Sequence, residues 1–285
     1  MDKPALDILA IAAHRDDVEQ TCGGTLLKMA QRGHRTGILD LTQGEMGTRG
    51  SAEERAAEAA EAARILQVSW RGALDIPDGR VENTWENRVK VARVIRQQRP
   101  RVVILPYWQG RHPDHYTASV LGYEACFLAG LTKLGKTAIS SQQSAFSREA
   151  SPHKQEQRTG VEAHGFSRGN QEEQEAALAA VAEFTPHRPF KIVFATLYYD
   201  IRPTFVVDIT DQFETRLQSI YAYKSQFTDQ AAGAGDFPAH KEIRERVATM
   251  AGFYGLLAGV KYAEPFLQKE VGLVEDLLDI PVKSI

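Results

Sequence analysis

Short aliphatic runs recur along the first half of the chain, and each is followed by a stretch with helical periodicity. Ala5–Ala13, Thr36–Leu41 and Arg101–Pro106 contain few polar positions, which is typical of strands covered on both faces. A short segment near Leu74–Ile76 indicates a further strand. The intervening stretches predict helices over Thr25–Arg32, from the capping box Ser51/Glu54 to Leu66, over Glu86–Gln98 and over Tyr116–Ala129.

This alternation predicts an α/β fold with a Rossmann-like, mostly parallel sheet and helices on both faces. The pattern breaks at about residues 136–189, where a polar stretch poor in large aliphatics predicts an insertion, with a helix over Gln171–Glu183. We interpret residues 1–285 as a single domain around that insertion. A C-terminal β/α extension is predicted from strands over Lys191–Tyr199 and Thr204–Ile209 and helices over Asp211–Gln226 and Glu242–Leu257.

Composition narrows the classes of protein that fit this pattern. Of the 285 residues, 43% are hydrophobic and 25% are charged, which is ordinary for a chain with a buried core. The formal net charge is −3 and Lys and Arg form no cluster, so a nucleic-acid partner is not expected. Cys22 and Cys126 are too few for a disulfide framework. The N-terminal apolar run ends after Ala13 in charged residues, so we expect no membrane segment and a cytoplasmic location.

Two clusters of histidine and aspartate follow two of the predicted strands. His14-Arg-Asp16-Asp17 comes directly after the first strand, and His112-Pro-Asp-His115 comes shortly after Arg101–Pro106. Since the carboxyl ends of parallel strands share one edge, the two clusters should converge there. Each cluster alone also fits a solvated turn or a helix cap, but their joint placement favours a metal site.

The residue types in these clusters suit hydrolysis. Two imidazoles and one carboxylate with an open fourth position are typical of catalytic zinc, which lowers the pKa of water for attack on a carbonyl. The clusters hold more candidate groups than three ligand positions require. The surplus suggests that some of them transfer protons or stabilise an oxyanion.

The motifs also resemble those of a known family. Ala13–Asp17 followed by Gly23-Gly24 resembles the AHPDD…GG signature of the LmbE/PIG-L-like zinc deacetylases, and His112–His115 resembles their HPDH signature. Further similarity lies at 41–50, 55–59 and 64–66. Segments 206–210, 223–227 and 259–264 resemble the branch that makes bacillithiol. The resemblance covers about residues 6–130 and 192–266.

This resemblance implies roles for the clustered residues. His14, Asp17 and His115 would hold one zinc ion per chain, with iron(II), manganese or cobalt as alternatives. Asp16 would act as the general base, and His112 would stabilise the oxyanion or protonate the leaving amine. Asp114 would either orient His115 as a second-shell partner or cap the helix that follows.

The resemblance also implies a small-molecule substrate. Arg49, Arg55 and Arg111 would surround a sugar pocket, and Asp78 would accept hydrogen bonds from sugar hydroxyls. The implied reaction is deacetylation of an N-acetylglucosamine conjugate, N-acetylglucosaminyl-malate, whose dicarboxylate suits arginine. The resemblance implies a homo-oligomer. It implies no nucleic-acid or membrane partner.

Two positions depart from the family pattern. Arg15 stands in place of the usual proline and is expected to loosen its turn. Gly110 stands where relatives can carry a side chain near the acyl group.

Three other interpretations stay open. The first is a deacetylase or amidase of another N-acyl sugar, such as N-acetylglucosamine, a chitooligosaccharide or a mycothiol-type substrate. The second is a Rossmann-like nucleotide-binding protein, against which Cys22-Gly23-Gly24 lacks the G-x-G-x-x-G spacing and Asp16-Asp17 would repel a pyrophosphate. The third is a non-catalytic sugar-binding module, which would tolerate loss of ligands that are all present here.

Overall fold

A seven-stranded sheet forms the centre of the protein in a computed structural model that describes residues 6–134, 184–196, 200–227, 240–280 and 282. Its strands are β1 Ile8–Ala12, β2 Thr36–Asp40, β3 Trp70–Ala73, β4 Val102–Pro106, β5 Lys191–Ala195, β6 Phe205–Asp208 and β7 Ala263–Leu267. They lie in the order β3-β2-β1-β4-β5-β7-β6. The first five run parallel, whereas β7 is antiparallel to β5 and β6. The predicted α/β fold with a mostly parallel sheet is confirmed.

Helices cover both faces of this sheet. They are α1 Asp17–Thr21, α2 Gly23–Gln31, α3 Ala52–Ile65, α4 Trp85–Gln98, α5 Pro113–Ala129, α6 Phe213–Tyr221 and α7 His240–Leu256. Alternate residues of β1 show the two layers. Leu9 and Ile11 share a core with α4 and α5, while Ile8 and Ala10 share one with α1 and α2. This two-residue period is the reason why β1 reads as an unbroken apolar run.

Several element boundaries differ from the sequence predictions. β3 lies at Trp70–Ala73 rather than at Leu74–Ile76. The prediction missed it because this half-exposed edge strand has few aliphatic residues. β7 was not predicted, since Glu264 and Pro265 interrupt its apolar pattern. α5 begins at Pro113, so the second histidine cluster lies on the helix and not in a loop before it.

The buried contacts of Glu264 explain why a charged residue lies in strand β7. Its side chain is fully buried and accepts hydrogen bonds from the backbone N–H groups of Gly24 at 2.9 Å and Thr25 at 2.7 Å, at the start of α2. Arg216 of α6 pairs with the same carboxylate at 3.1 Å. A Cβ at position 24 would lie 2.9 Å from Glu264 Oε1, so this close approach requires glycine.

Most of the predicted insertion lies outside the described residues, which resume at residue 184. The predicted helix over Gln171–Glu183 falls entirely in that stretch. Residues 184–190 contain no helix or strand, and β5 ends at Ala195 rather than at Tyr199. In the parts of the chain that the structure describes, no helix combines the length and apolar character that a membrane span requires.

Candidate metal centre

Two segments that follow neighbouring strands supply the candidate ligands. His14 and Asp17 lie where the chain passes from β1 into α1, and His115 lies in the first turn of α5, which follows β4. The order of the sheet reverses between β1 and β4, which is where open α/β sheets place their ligand sites. The structure therefore brings the two histidine clusters together at one edge.

The ligand atoms of these three residues have the spacing of a shared cation site. His14 Nδ1 lies 3.2 Å from His115 Nε2, and Asp17 Oδ1 lies 3.2 Å from the same nitrogen. Asp17 Oδ2 lies 3.6 Å from His14 Nδ1. Ligands about 2.0–2.1 Å from a tetrahedral zinc ion are roughly 3.3 Å apart. The donor set of this cluster therefore fits a divalent cation.

The second ring nitrogen of His14 faces two carboxylates. Nε2 lies 3.1 Å from Asp114 Oδ2 and 3.1 Å from Asp78 Oδ1. A proton on Nε2 satisfies them and leaves the lone pair of Nδ1 for a cation, as is usual for metal-binding histidines. The side chains of His14, Asp78 and Asp114 are also close enough together to hold an ion themselves. However, Gly79 N at 2.8 Å and Val81 N at 3.2 Å already donate to Asp114, which favours the hydrogen-bonded arrangement.

Two sequence predictions change with this geometry. Asp114 was expected either to orient His115 or to cap the following helix, but its carboxylate contacts His14 and the N-cap of α5 is His112. Asp78 was expected to contact the sugar. It is buried, with Oδ1 on His14 and Oδ2 accepting a hydrogen bond from Met46 N at 3.0 Å. Both carboxylates therefore contact Nε2 of His14.

The charges of the cluster favour protonated histidines. Burial opposes the charged form of His14, but its hydrogen bonds to Asp17 and Asp78 outweigh burial and raise its pKa to about 11. The charge of Asp17 raises the pKa of His115 against the effect of burial. Burial also opposes the charged form of Asp17, yet His115 and His14 hold its pKa well below its usual range. A cation must displace these protons when it binds.

Asp16 adopts an unusual backbone conformation beside the ligands. Its φ of 111° lies in the left-handed region, which is rare for a residue with a Cβ and is associated with functional sites. Its carboxylate is 14% exposed and lies 3.9 Å from Arg55 Nη2. Burial and the neighbouring Asp17 raise the pKa of Asp16 to about 8, although the charge of Arg55 acts in the opposite direction.

Arg55 holds the backbone around Asp16. It is only 5% exposed, and its guanidinium donates to Arg15 O at 3.1 Å and to Gly44 O at 3.3 Å. Gly44 has a φ of +75°, and a Cβ there would lie 2.5 Å from Arg55 Nη1. The glycine-rich loop is thus shaped around this guanidinium, which differs from the predicted substrate contact of Arg55.

The arginine that replaces the family proline has its own anchor. Arg15 is buried, and its Nη1 donates to Ala52 O at the start of α3 at 2.7 Å. The expected loosening of this turn is therefore opposed by a tether that proline cannot form.

His112 caps helix α5 with its ring. Its Nδ1 accepts a hydrogen bond from Asp114 N at 3.2 Å, so in the neutral ring the proton lies on Nε2. Burial and the positive charges of His14 and His115 lower the pKa of His112. His112 can also group with those two histidines as a ligand, with ring nitrogens within 4.8 Å. Its engaged Nδ1 and lowered pKa favour a neutral hydrogen-bond donor.

The two remaining predicted arginines lie at the edge of the site. Arg111 is exposed and precedes His112. Arg49 is half-buried in the glycine-rich loop, and its carbonyl accepts a hydrogen bond from Gln226 Nε2 at 2.9 Å.

A buried ionic group behind the ligands was missed by the sequence reasoning. Arg71 of β3 pairs with Glu19 of α1 at 2.6 Å and with Asp40 at the end of β2 at 2.8 Å. Tyr223 donates to Glu19 at 3.1 Å. Charged residues scattered over three elements look like surface residues in a sequence, and no local pattern predicts their burial. They fix α1, which begins with the candidate ligand Asp17, against the sheet.

Comparisons with known proteins show what the whole chain is similar to. The family model described as "PIG-L: GlcNAc-PI de-N-acetylase" matches residues 9–126. A diacetylchitobiose deacetylase of Thermococcus kodakarensis is 29% identical over 269 residues, which cover 90% of this chain and 80% of that protein. The uncharacterized deacetylase YaiS of Escherichia coli is 33% identical over 41% of this chain and 72% of its own length. The crystal structure of the conserved protein TT1542 from Thermus thermophilus matches with a TM-score of 0.69, 35% identity and coverage of 95% of this chain and 98% of that one.

Proposed function

This chain belongs to the PIG-L family of de-N-acetylases, and from that premise we propose that it removes the acetyl group from an N-acetylated sugar with the help of a divalent cation. The observation that carries the proposal is the spacing of His14, Asp17 and His115. Their ligand atoms lie 3.2–3.6 Å apart, beside the largely buried carboxylate of Asp16.

In this proposal His14 Nδ1, His115 Nε2 and Asp17 hold the cation. Zinc suits two imidazoles and a carboxylate, and Asp78 and Asp114 keep the proton of His14 on its other nitrogen. When bound, such a cation lowers the pKa of water and polarises a carbonyl.

Asp16 and His112 handle the protons of the reaction. Hydrolysis forms a C–O bond to water, breaks the amide C–N bond and delivers a proton to the amine nitrogen. Asp16, which lies next to the proposed ligand Asp17 in the chain, takes the proton from the attacking water and returns it to the amine. His112 donates its Nε2–H to the acyl oxygen as negative charge develops there.

Arg55 acts as a positioning residue in this scheme. Its hydrogen bond to the carbonyl of Arg15 fixes the peptide group that precedes Asp16. This contact holds Asp16 in its left-handed conformation, where the carboxylate faces the cluster. Arg55 thus contributes to the reaction without touching the sugar.

For the substrate we propose N-acetylglucosaminyl-malate. Exposed Arg111 lies next to His112, where a malate carboxylate could pair with it, and Arg49 lies in the glycine-rich loop that follows β2. Diacetylchitobiose is the second candidate, because the Thermococcus deacetylase named for it is similar over 90% of this chain.

Amine release from the purified protein tests the proposal. The malate conjugate, diacetylchitobiose and free N-acetylglucosamine are compared with and without a chelator, and zinc is then restored. We expect chelator-sensitive release that zinc recovers, fastest with the malate conjugate. Faster release from diacetylchitobiose would make that sugar the substrate and would leave the proposed metal-dependent deacetylation unchanged. Zinc binding without release from any acetylated sugar would contradict the enzyme and favour the sugar-binding interpretation.

A further inference from the structure

The turn that follows helix α6 contacts the glycine-rich loop that carries Arg49. Gln226 of this turn is 8% exposed, and its side-chain amide donates to the carbonyl of Arg49 at 2.9 Å, across 177 positions of the chain. The same amide nitrogen donates to Ser225 Oγ at 3.1 Å. Both N–H groups of the amide therefore have an acceptor.

Helix α3 holds both the turn and the loop. Glu58 of this helix accepts hydrogen bonds from Ser225 N and from Ser225 Oγ, both at 2.7 Å, and a charged acceptor makes such bonds strong. The loop approaches Ser225 closely, because a Cβ on Gly50 would lie 2.8 Å from Ser225 Cβ. The loop then ends at Ser51, the N-cap of α3. The contact made by Gln226 thus joins two segments that are tied to the same helix.

The loop also reaches the candidate metal centre. Met46 N donates to Asp78 Oδ2 at 3.0 Å, and Asp78 Oδ1 lies 3.1 Å from His14 Nε2. Arg49 is three residues further along, so its Cα lies at most about 11 Å from that of Met46. A side chain as long as arginine that starts there can reach the outer part of a sugar conjugate held at the metal.

The loop needs anchors because its own backbone is flexible. Gly44, Gly47 and Gly50 give it little stiffness. Arg55 fixes its first half by donating to Gly44 O at 3.3 Å, whereas the carbonyl of Arg49 in the second half depends on Gln226. An arginine on a fixed backbone loses less conformational entropy when it pairs with a ligand, so its pairing is stronger.

We propose that Gln226 is a positioning residue that, by fixing the backbone of Arg49, sets the preference for sugar conjugates that carry carboxylates. This role rests on the proposed function, in which Arg49 pairs with the malate part of the substrate. Gln226 acts through the backbone of Arg49 and not by touching the sugar. The metal ligands lie on other elements and keep their geometry when this hydrogen bond is removed.

Calorimetric titration of the full chain with glucosaminyl-malate and with glucosamine, in the presence of zinc, tests the proposal. Both ligands are already deacetylated, so their binding is measured independently of turnover. We expect the malate conjugate to bind at least about tenfold more tightly than glucosamine, and Gln226→Met to remove most of that difference. Gln218→Met is the matched control, because Gln218 is an exposed glutamine of α6. An unchanged preference in Gln226→Met, or no preference in the wild type, would overturn the proposal.

Combination with Arg49→Met separates positioning from damage to the fold. In a chain that already carries Arg49→Met, Gln226→Met should change binding of the malate conjugate by less than about twofold, since its effect passes through Arg49. A further loss in the double variant, or weaker zinc binding in Gln226→Met alone, would contradict the positioning role.

Gly50→Ala disturbs the same contact from the side of the loop, and it tests the proposal even if Gln226→Met does not fold. Its Cβ would press on Ser225, so this variant should also lose preference for the malate conjugate. Gly33→Ala is the control, because the φ values of Gly50 and Gly33 are +73° and +86° but, among the described residues, a Cβ at Gly33 would meet nothing within 4 Å. Equal preference in the two alanine variants would show that the contact does not position Arg49.

Amine release from acetylated sugars by the same proteins distinguishes this role from the proposed function. Normal release with no change of preference in Gln226→Met would contradict only the role of Gln226. No release from any acetylated sugar, together with the expected binding pattern, would contradict only the deacetylation.

Discussion

The hydrogen bonds of Asp114 allow one prediction to be worked out in detail. The side chain is 2% exposed, and its oxygens face three N–H donors: His14 Nε2, Gly79 N and Val81 N. In Asp114→Asn one oxygen becomes an NH₂ group. It must then oppose either Val81 N–H or both Gly79 N–H and the proton of His14 Nε2, and no solvent is available to relieve that contact. The second orientation moves the proton of His14 to Nδ1, the nitrogen that faces the cation.

The expected result is weaker metal binding in a folded protein. Loss of such an outer partner typically costs about 10–100-fold in affinity, or about 1.4–2.7 kcal/mol. Asp78 keeps one carboxylate 3.1 Å from Nε2. The zinc affinity of the single variant should therefore fall about tenfold, and that of the double variant Asp114→Asn with Asp78→Asn about a hundredfold.

Competition for zinc against a chromophoric chelator at fixed pH measures this loss. Asp75→Asn is the control, because the exposed carboxylate of Asp75 pairs with Lys90 at 2.7 Å. If Asp114→Asn binds zinc within about twofold of the wild type, Asp114 does not set the tautomer of His14 and the reasoning fails.

Four further predictions concern neighbouring groups. Asp16→Asn should keep its zinc, measured by metal analysis, and lose about 10²–10⁴-fold in kcat; unchanged turnover would exclude Asp16 as the base. Arg55→Met should lower kcat and leave KM unchanged, with partial rescue by Arg55→Lys; a rise in KM alone would instead indicate a substrate contact. Zinc binding should release protons, seen by calorimetry in two buffers, and strengthen as pH rises because the pKa values of His14 and His115 are raised. Without metal, the raised pKa of His14 should stabilise the folded protein. This stabilisation is fully present below about pH 6.5, the ordinary pKa of histidine, and is lost as the pH rises through about 11. Denaturation of chelated protein at several pH values measures it.

Local patterns were sufficient to predict the central strands of the sheet and the meeting of the two clusters. The aliphatic runs that became β1, β2 and β4 are buried on both faces, so their composition alone indicated parallel strands. The order of those strands then placed the histidine clusters at one edge.

The functions of individual polar residues depended on contacts that no local pattern encodes. Asp78, Arg55 and Asp114 each turned towards His14 or the backbone of its turn, although two of them had been assigned to the substrate. The stretch Ala263–Leu267 gave no strand signal because a buried carboxylate and a proline replace the apolar positions. In all these cases long-range hydrogen bonds decide where a polar side chain goes.

The contact between Glu264 and α2 also has a consequence for the order in which the protein is assembled during its synthesis. His14 and Asp17 leave the ribosome long before β7 does, yet the N–H groups of Gly24 and Thr25 depend on a carboxylate 240 and 239 positions further along. A nascent chain that has not reached β7 leaves these donors without that carboxylate, and an unpaired donor is costly once it is buried. The start of α2, which follows the turn that carries His14 and Asp17, is therefore supported fully only after β7 has docked.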